Sequence, residues 1–125
     1  MRRLLAWLVL VGVVVSARPA SAQRCGEPLK VPAGTPKEEI AKLLAGQMFE
    51  GIKLSDLQQQ KAVQIVTTWM MDRANLDRSA TDYRQRIRAL DVKRDGDLRA
   101  LLTRDADRAK LDACFKKMER SSGSH

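Results

Sequence analysis

The chain has 125 residues, of which 23 are Lys or Arg and 15 are Asp or Glu, and this length favours a single domain. Its one histidine is the last residue, His125, which argues against histidine-based acid–base catalysis and against His-rich metal sites. The composition therefore favours a small basic protein that binds other molecules without a metal or cofactor, and not an enzyme.

The N-terminal segment has the pattern of an export signal. Two arginines at positions 2 and 3 precede a 12-residue apolar run, and Ala20-Ser21-Ala22 supplies the small residues that a signal peptidase requires. The run is shorter than the roughly 20 apolar residues of a membrane-spanning helix. We therefore expect residues 1–22 to be a signal peptide cleaved after Ala22, giving a periplasmic protein without an integral membrane segment. An uncleaved anchor is the alternative.

Positive charge is concentrated in the C-terminal part of the mature chain. Loss of the signal leaves 20 basic and 15 acidic residues, and residues 84–120 carry twelve basic and seven acidic groups. Export argues against a nucleic-acid partner, so the surplus favours anionic envelope surfaces or acidic protein segments as partners. A solvated helix face is the alternative.

Two cysteines, Cys25 and Cys114, lie near the two ends of the mature chain. In an oxidising compartment an even number of cysteines favours pairing. A bridge within the chain would close a loop of 89 sequence steps, which the chain-entropy model values at about 4–5 kcal/mol. We expect this intramolecular disulfide, and an intermolecular bridge or two free thiols are the alternatives.

The start of the mature chain, residues 23–35, is rich in proline and glycine, so we expect an extended leader without regular structure. Thr35 can then cap a helix, with Pro36 in the first helical position and Glu38 reaching back to the Thr35 N–H. Apolar residues at helical spacing predict a short amphipathic helix over residues 36–49.

The segment between Gly51 and Gly96 contains neither glycine nor proline. Ser55 and Gln58 have the spacing of a capping box, which predicts a helix start. Beyond it an apolar stripe with steps of mostly three and four residues predicts one long amphipathic helix that packs against another helix. A break near residues 77–82 is the alternative. We expect this stripe to form the seam of a homodimer, through Val66, Trp69, Leu76, Tyr83, Ile87 and Leu90.

The Asp-Gly-Asp sequence at residues 95–97 is the next expected interruption, a turn that ends the long helix. If these residues were aligned as a calcium loop, Lys93 and Leu102 would stand at positions that require ligand side chains. We therefore expect a helix-ending turn here and no calcium site.

Thr103 can cap a short final helix over residues 104–119, and residues 121–125 are polar and expected to form a disordered tail. The mature chain lacks the alternating pattern of β-strands. We therefore expect an all-α domain over residues 36–120, with a short helix, a long amphipathic helix and a short C-terminal helix in a hairpin- or cradle-like dimer.

The sequence Leu54-Ser55-Asp56-Leu57-Gln58 resembles the LTxxQ motif of the Spy/CpxP family of exported helical stress proteins. A second copy at residues 102–106 has Ala106 where the family has Gln. A Ser or Thr and a Gln three residues apart form a capping box, which gives the motif a physical role. The positions that match the motif, as structural positions, are Leu54, Ser55, Gln58, Leu102 and Thr103.

The resemblance covers roughly residues 49–118 and implies an ATP-independent periplasmic chaperone that binds unfolded or partly folded clients. Members of the family form an antiparallel helical dimer shaped like a shallow cradle, whose concave face holds the clients. A regulatory adaptor that binds the sensor domain of an envelope-stress kinase is the alternative function.

Arg84 and Arg88 are spaced to share one edge of the expected long helix, next to its apolar stripe. Like charges at this spacing cost a helix a few tenths of a kcal/mol, which an acidic partner would relieve. We therefore expect these two arginines to attract acidic clients. An edge balanced by Asp77 and Asp91 is the alternative.

Overall fold

The part of the chain that this computed structural model describes, residues 24–123, folds into four α-helices without a β-strand. The expected all-α fold is therefore confirmed. The predicted signal peptide lies outside the described residues, as do residues 124–125 of the predicted tail. The helices are α1 (Lys37–Met48), α2 (Asp56–Ala74), α3 (Tyr83–Arg99) and α4 (Asp105–Gly123), so α4 continues into the segment expected to be a tail.

The described part of the leader, residues 24–35, has turns but no regular secondary structure, and it is attached to the helices at several points. Cys25 and Cys114 form the expected intramolecular disulfide, with their Cα atoms 5.7 Å apart. The Cys25 N–H also donates to Glu50 Oε1 at 3.1 Å, and Gln47 Nε2 donates to the Glu27 carbonyl at 3.1 Å. These contacts join the leader to the end of α1 and to α4.

The predicted cap of α1 is wrong. Pro36 occupies the cap position before Lys37, and no side chain caps this helix end. The Thr35 hydroxyl donates instead to the Pro32 carbonyl at 2.6 Å. A threonine hydroxyl can bond locally to the backbone of a turn, and here that bond competes with the capping role.

The predicted capping box of α2 is present. Ser55 Oγ accepts from the Gln58 N–H at 3.1 Å, and Gln58 Oε1 accepts from the Ser55 N–H at 2.8 Å. Gln58 Nε2 also donates to the Leu101 carbonyl at 2.8 Å. The Gln58 side chain therefore takes part in the cap of α2 and also links α2 to the turn that follows α3.

The prediction of one long helix is wrong, because residues 75–82 separate α2 from α3. Within this segment the Asp77 carboxylate accepts from the Ser79 N–H at 3.0 Å and from its hydroxyl at 2.6 Å. Such local bonds stabilise a turn at the expense of the helix. The break near residues 77–82, the alternative, is the one observed.

The turn places α2 and α3 side by side in antiparallel directions. Gln58, near the start of α2, contacts Leu101 just after the end of α3. Trp69, further along α2, contacts Asp91, which comes earlier in α3, so the two helices run in opposite directions. The expected seam is therefore divided between two helices of one chain. Val66 is completely buried in the chain's own core, and the other seam residues Trp69, Leu76, Tyr83, Ile87 and Leu90 are half-buried.

The predicted turn at residues 95–97 is also wrong, since α3 continues through Gly96 to Arg99. A glycine inside a helix costs about 1 kcal/mol relative to alanine. Two features of α3 offset this cost: the ion pair between Lys93 Nζ and Asp97 Oδ2 at 2.9 Å, and the complete burial of Leu98.

The core lies where all four helices meet. Its largest completely buried side chains are Met48, Val66, Leu98 and Leu111, one from each helix. Full burial of such a side chain stabilises a fold by about 1.5–3 kcal/mol. The core therefore holds α4 against the other helices in addition to the disulfide.

Candidate functional site

An open groove of about 970 Å³ runs between α1 and α2. This volume is at the upper end of the range of roughly 300–1,000 Å³ found for ligand pockets. Its apolar lining includes Leu43, Phe49, Leu54 and Val63, all buried or half-buried. The exposed polar residues along the groove are Lys42, Glu50, Asp56, Gln59, Gln60 and Gln64.

Two glycines shape this groove. Gly46 is exposed on α1, and a Cβ built on it would meet no other atom within 4 Å, so a partner can approach the backbone there. Gly51 has a φ of +79°, a conformation that favours glycine, and it directs the chain from α1 toward α2. Leu54, the first motif position, lies between this turn and α2 and lines the groove.

Sequence reasoning missed the groove as a site. Leu43 and Val63 could have indicated it. Each lies beside the main apolar stripe of its helix, next to Leu44 and Ala62 respectively, and so widens the apolar face. An apolar face wider than one neighbouring helix can cover leaves part of that face in a groove. Which part is left depends on how α1 packs on α2.

A polar cluster around Trp69 connects α2 with α3. Trp69 Nε1 donates to Asp91 Oδ1 at 2.9 Å. The Arg94 guanidinium lies 4.5 Å from the centre of the Trp69 ring and is 7% exposed, and the Arg73 guanidinium lies at 5.5 Å. Arg94 also pairs with Asp95 at 2.8 Å. These groups satisfy one another, so the cluster stabilises the packing of the helices.

Burial raises the pKa of Asp95 above its usual value, although the adjacent Arg94 guanidinium opposes this shift. Negative charge on Asp91 and Glu119 adds to the rise in the pKa. The sequence had indicated Trp69 as a dimer contact and had not singled out Arg94. The position of Arg94 in the register of α3 could have indicated its burial. Arg94 lies four residues after Leu90 and four before Leu98, so it shares a helix face with these two apolar residues.

Arg84 and Arg88 lie exposed on α3, and neither forms an ion pair within residues 24–123. The aspartates expected to balance them have other hydrogen-bond partners: Asp77 binds Ser79, and Asp91 binds Trp69. Neither arginine lines the groove. The groove and these two arginines are therefore separate parts of the surface.

An exposed apolar residue accompanies the two arginines on α3. Val92 is 65% exposed and follows Arg88 by four residues, so the two side chains share a face. The face formed by Arg84, Arg88 and Val92, here called the α3 face, combines positive charge with exposed apolar area.

The second motif copy occupies the connection between α3 and α4. Leu102 is 3% exposed in the core, whereas Thr103 is exposed. The Arg108 N–H bonds to the Arg104 carbonyl at 3.1 Å, so α4 begins at Asp105 with Arg104 at the cap position. Thr103 therefore lies one residue before the position that its expected capping role requires.

Within residues 24–123, no group of three or more His, Cys, Asp or Glu side chains is arranged to hold a metal ion. Within the same range, no helix combines the length and apolar character needed to cross a membrane.

Comparisons of the chain with models of protein families, with curated proteins and with solved structures found no match. The resemblance to the Spy/CpxP family therefore rests on the motif copies at residues 54–58 and 102–106 and on the pattern of an export signal.

Proposed function

We propose that this chain is an ATP-independent, chaperone-like protein that holds unfolded or partly folded segments of other proteins in the groove between α1 and α2. The observation that supports this function is the groove itself, with its volume of about 970 Å³ and its apolar lining of Leu43, Phe49 and Val63. Unfolded segments expose apolar side chains, and burying them yields about 25 cal/mol per Å². Such binding needs neither a nucleotide nor a cofactor.

The polar rim of the groove also suits clients of differing sequence. Gln59, Gln60 and Gln64 are exposed on α2 and line the groove. A glutamine amide both donates and accepts hydrogen bonds. An extended client has unpaired backbone N–H and carbonyl groups, and three amides can bind these groups whatever the client's side chains are.

A periplasmic location is part of this proposal. The pattern of a cleaved signal at residues 1–22 supports it, as does the disulfide between Cys25 and Cys114, because disulfides persist in oxidising compartments. We place the mature N-terminus at Gln23, and mass spectrometry of the exported protein tests this position.

We also propose that the mature protein forms a homodimer. Leu76, Tyr83 and Ile87 support it, because they are only half-buried at the end of the α2–α3 pair that is distant from the core residue Leu98. Sedimentation should give twice the monomer mass. Ile87→Asp should dissociate the dimer, since a carboxylate in an apolar interface is costly to desolvate.

A regulatory adaptor for a sensor domain is the second candidate function, and the α3 face supports it. Two unpaired arginines beside the exposed Val92 suit one acidic partner of fixed shape. An adaptor would bind that partner alone, and replacing both Arg84 and Arg88 by Ser would abolish binding. A chaperone would bind many unrelated unfolded proteins.

Suppression of aggregation tests the proposed chaperone function. The purified protein, with its disulfide intact, should keep several unrelated unfolded proteins in solution. Leu43→Gln should weaken this effect, because it places an amide in the apolar lining of the groove. Leu57→Gln is the matched control, since Leu57 is 59% exposed on α2 and does not line the groove. A wild-type protein that protects none of the clients would contradict the proposal.

A further inference from the structure

A second concave site lies where the two motif copies meet. Its volume is about 390 Å³. Gln58 lines it from the first motif copy, and Lys53 precedes that copy by one residue. Thr103 and Arg104 line it from the second copy, and Asp107 and Lys110 line it from α4. We call this site the motif-junction pocket. It is separate from the groove between α1 and α2, with which it shares only the lining residue Gly51.

The motif-junction pocket has an excess of two positive charges, because three of its lining side chains are cations and one, Asp107, is a carboxylate. Lys53 and Arg104 are exposed, and neither has a carboxylate partner among the described residues. Lys110 Nζ donates to the Gly51 carbonyl at 3.1 Å, a neutral acceptor that leaves its charge unbalanced.

Several other exposed cations of the described chain have a carboxylate partner. Arg86 lies 2.9 Å from Asp82, Lys93 lies 2.9 Å from Asp97, and Arg99 lies 3.2 Å from Asp112. The three cations of the motif-junction pocket thus converge on one concavity without the ion pairs that occur elsewhere on the surface. Holding like charges together in this way costs energy unless an anion joins them.

Hydrogen bonds fix the walls of this pocket. Gln58 Nε2 donates to the Leu101 carbonyl at 2.8 Å and links the first motif copy to the turn after α3. Lys110 Nζ donates to the Gly51 carbonyl at 3.1 Å and links α4 to the turn after α1. Arg108 Nη2 donates to the Leu102 carbonyl at 2.9 Å and fixes the turn before α4. The backbone around the pocket is therefore held in place before a ligand binds, which lowers the cost of ordering it on binding.

We propose that the motif-junction pocket binds a phosphate group. A phosphate dianion matches the excess of two positive charges, and its oxygens can accept from Lys53, Arg104 and the Thr103 hydroxyl together. A carboxylate has one charge and two oxygens, and it would leave part of the positive charge unmatched. The first N–H groups of α4, beside the pocket, favour an anion further.

Phosphate could come from a small phosphate compound or from the headgroup of a phospholipid that ends in a phosphate monoester, and the two sources share this chemistry. The proposal is independent of client binding, because the residues that carry it do not line the groove. A failure of the chaperone assay therefore leaves it standing.

Isothermal titration calorimetry of the disulfide-bonded protein with inorganic phosphate tests the site. We expect one saturable site per chain that weakens as salt rises. Replacing both Lys53 and Arg104 by Gln should reduce the affinity about ten-fold or more, because it removes charge-assisted bonds. Asp107→Asn should increase the affinity, since it removes the one opposing charge. Circular dichroism checks that each variant is folded.

The matched control is the replacement of both Arg84 and Arg88 by Gln, which removes the same charge from the α3 face. It should leave phosphate binding unchanged. Absence of saturable binding to phosphate and to vesicles, or equal weakening in the control, would overturn the proposal. Vesicles that contain phosphatidic acid, whose headgroup is a phosphate monoester, identify the source. Binding to them that is lost with Lys53 and Arg104 identifies a lipid headgroup, whereas binding of inorganic phosphate alone identifies a small phosphate compound.

Discussion

The Arg94 guanidinium lies 4.5 Å from the centre of the Trp69 ring, and this contact joins α3 to α2. Arg94 is 7% exposed and pairs with Asp95 at 2.8 Å, while Trp69 donates to Asp91. The antiparallel arrangement of the two helices is thus stabilised by a cation–π contact and by the hydrogen bond from Trp69 to Asp91, in addition to apolar packing.

Replacing Arg94 by Ala should therefore destabilise the protein markedly. It removes the contact with Trp69 and leaves the half-buried Asp95 without its ion-pair partner, so we expect a loss of about 2–3 kcal/mol in the free energy of unfolding. Urea denaturation measures this loss. Arg86→Ala removes an exposed ion pair with Asp82 and should have a much smaller effect. Equal losses in the two variants would contradict this role of Arg94.

Removing the disulfide should destabilise the fold by about 4–5 kcal/mol, because the bridge between Cys25 and Cys114 closes a loop of 89 sequence steps. The variant with both cysteines replaced by Ser should show this loss in urea denaturation. A reducing agent should destabilise the wild-type protein equally and leave the double variant unchanged. A reducing agent without effect on the wild type would show that the bridge is absent from the protein in solution.

Two hydroxyl groups near helix starts should differ in their contribution to stability. Ser55→Ala removes the cap of α2 and should cost about 1 kcal/mol. Thr35→Ala should cost less, because the Thr35 hydroxyl donates to the Pro32 carbonyl and does not cap α1. Thermal unfolding of both variants measures the difference, and a larger effect of Thr35→Ala would show that α1 is capped after all.

Asp95 should give the stability an unusual dependence on pH. Burial raises the pKa of Asp95 in the folded protein above the ordinary value for an aspartate, about 3.8. Its contribution to stability is therefore present below that pH and decreases as the pH rises through the folded-state pKa. Relative to Asp95→Asn, the wild type should lose stability as the pH rises above about 3.8.

Two other aspartates, Asp77 and Asp82, provide a control for this measurement. Hydrogen bonds lower the pKa of Asp77, mainly from the Ser79 hydroxyl, and the pKa of Asp82, from Arg86. A titration of the side-chain carboxyl groups followed by NMR should show Asp95 protonating at a higher pH than both. The opposite order would contradict the burial of Asp95.

Features that depend on neighbours in sequence could be predicted without the structure. The capping box of Ser55 and Gln58 requires only two residues three positions apart. The helical class follows from the spacing of apolar residues, and the pairing of Cys25 with Cys114 was expected from an even number of cysteines together with the pattern of an export signal.

Both errors in helix length had a common cause. At residues 75–82 the helix-forming tendency is weak, and the bonds of Asp77 decide in favour of a turn. At Gly96 the cost of about 1 kcal/mol is offset by the burial of Leu98 and by the ion pair of Lys93. Each outcome is a balance of small energies that a pattern of residue types does not resolve.

Sequence by itself determined the helical class of this protein and the start of α2, because these depend on local spacing and on composition. It favoured the pairing of the two cysteines but left open whether the bridge lies within one chain. Only the tertiary structure decided the groove, the contact of Arg94 with Trp69 and the motif-junction pocket. Each joins residues that are far apart in the chain, such as Lys53 and Arg104. Their meeting depends on how α3 packs against α2 and how α4 packs against α1 and α3, and these directions are set by the packing of the whole core.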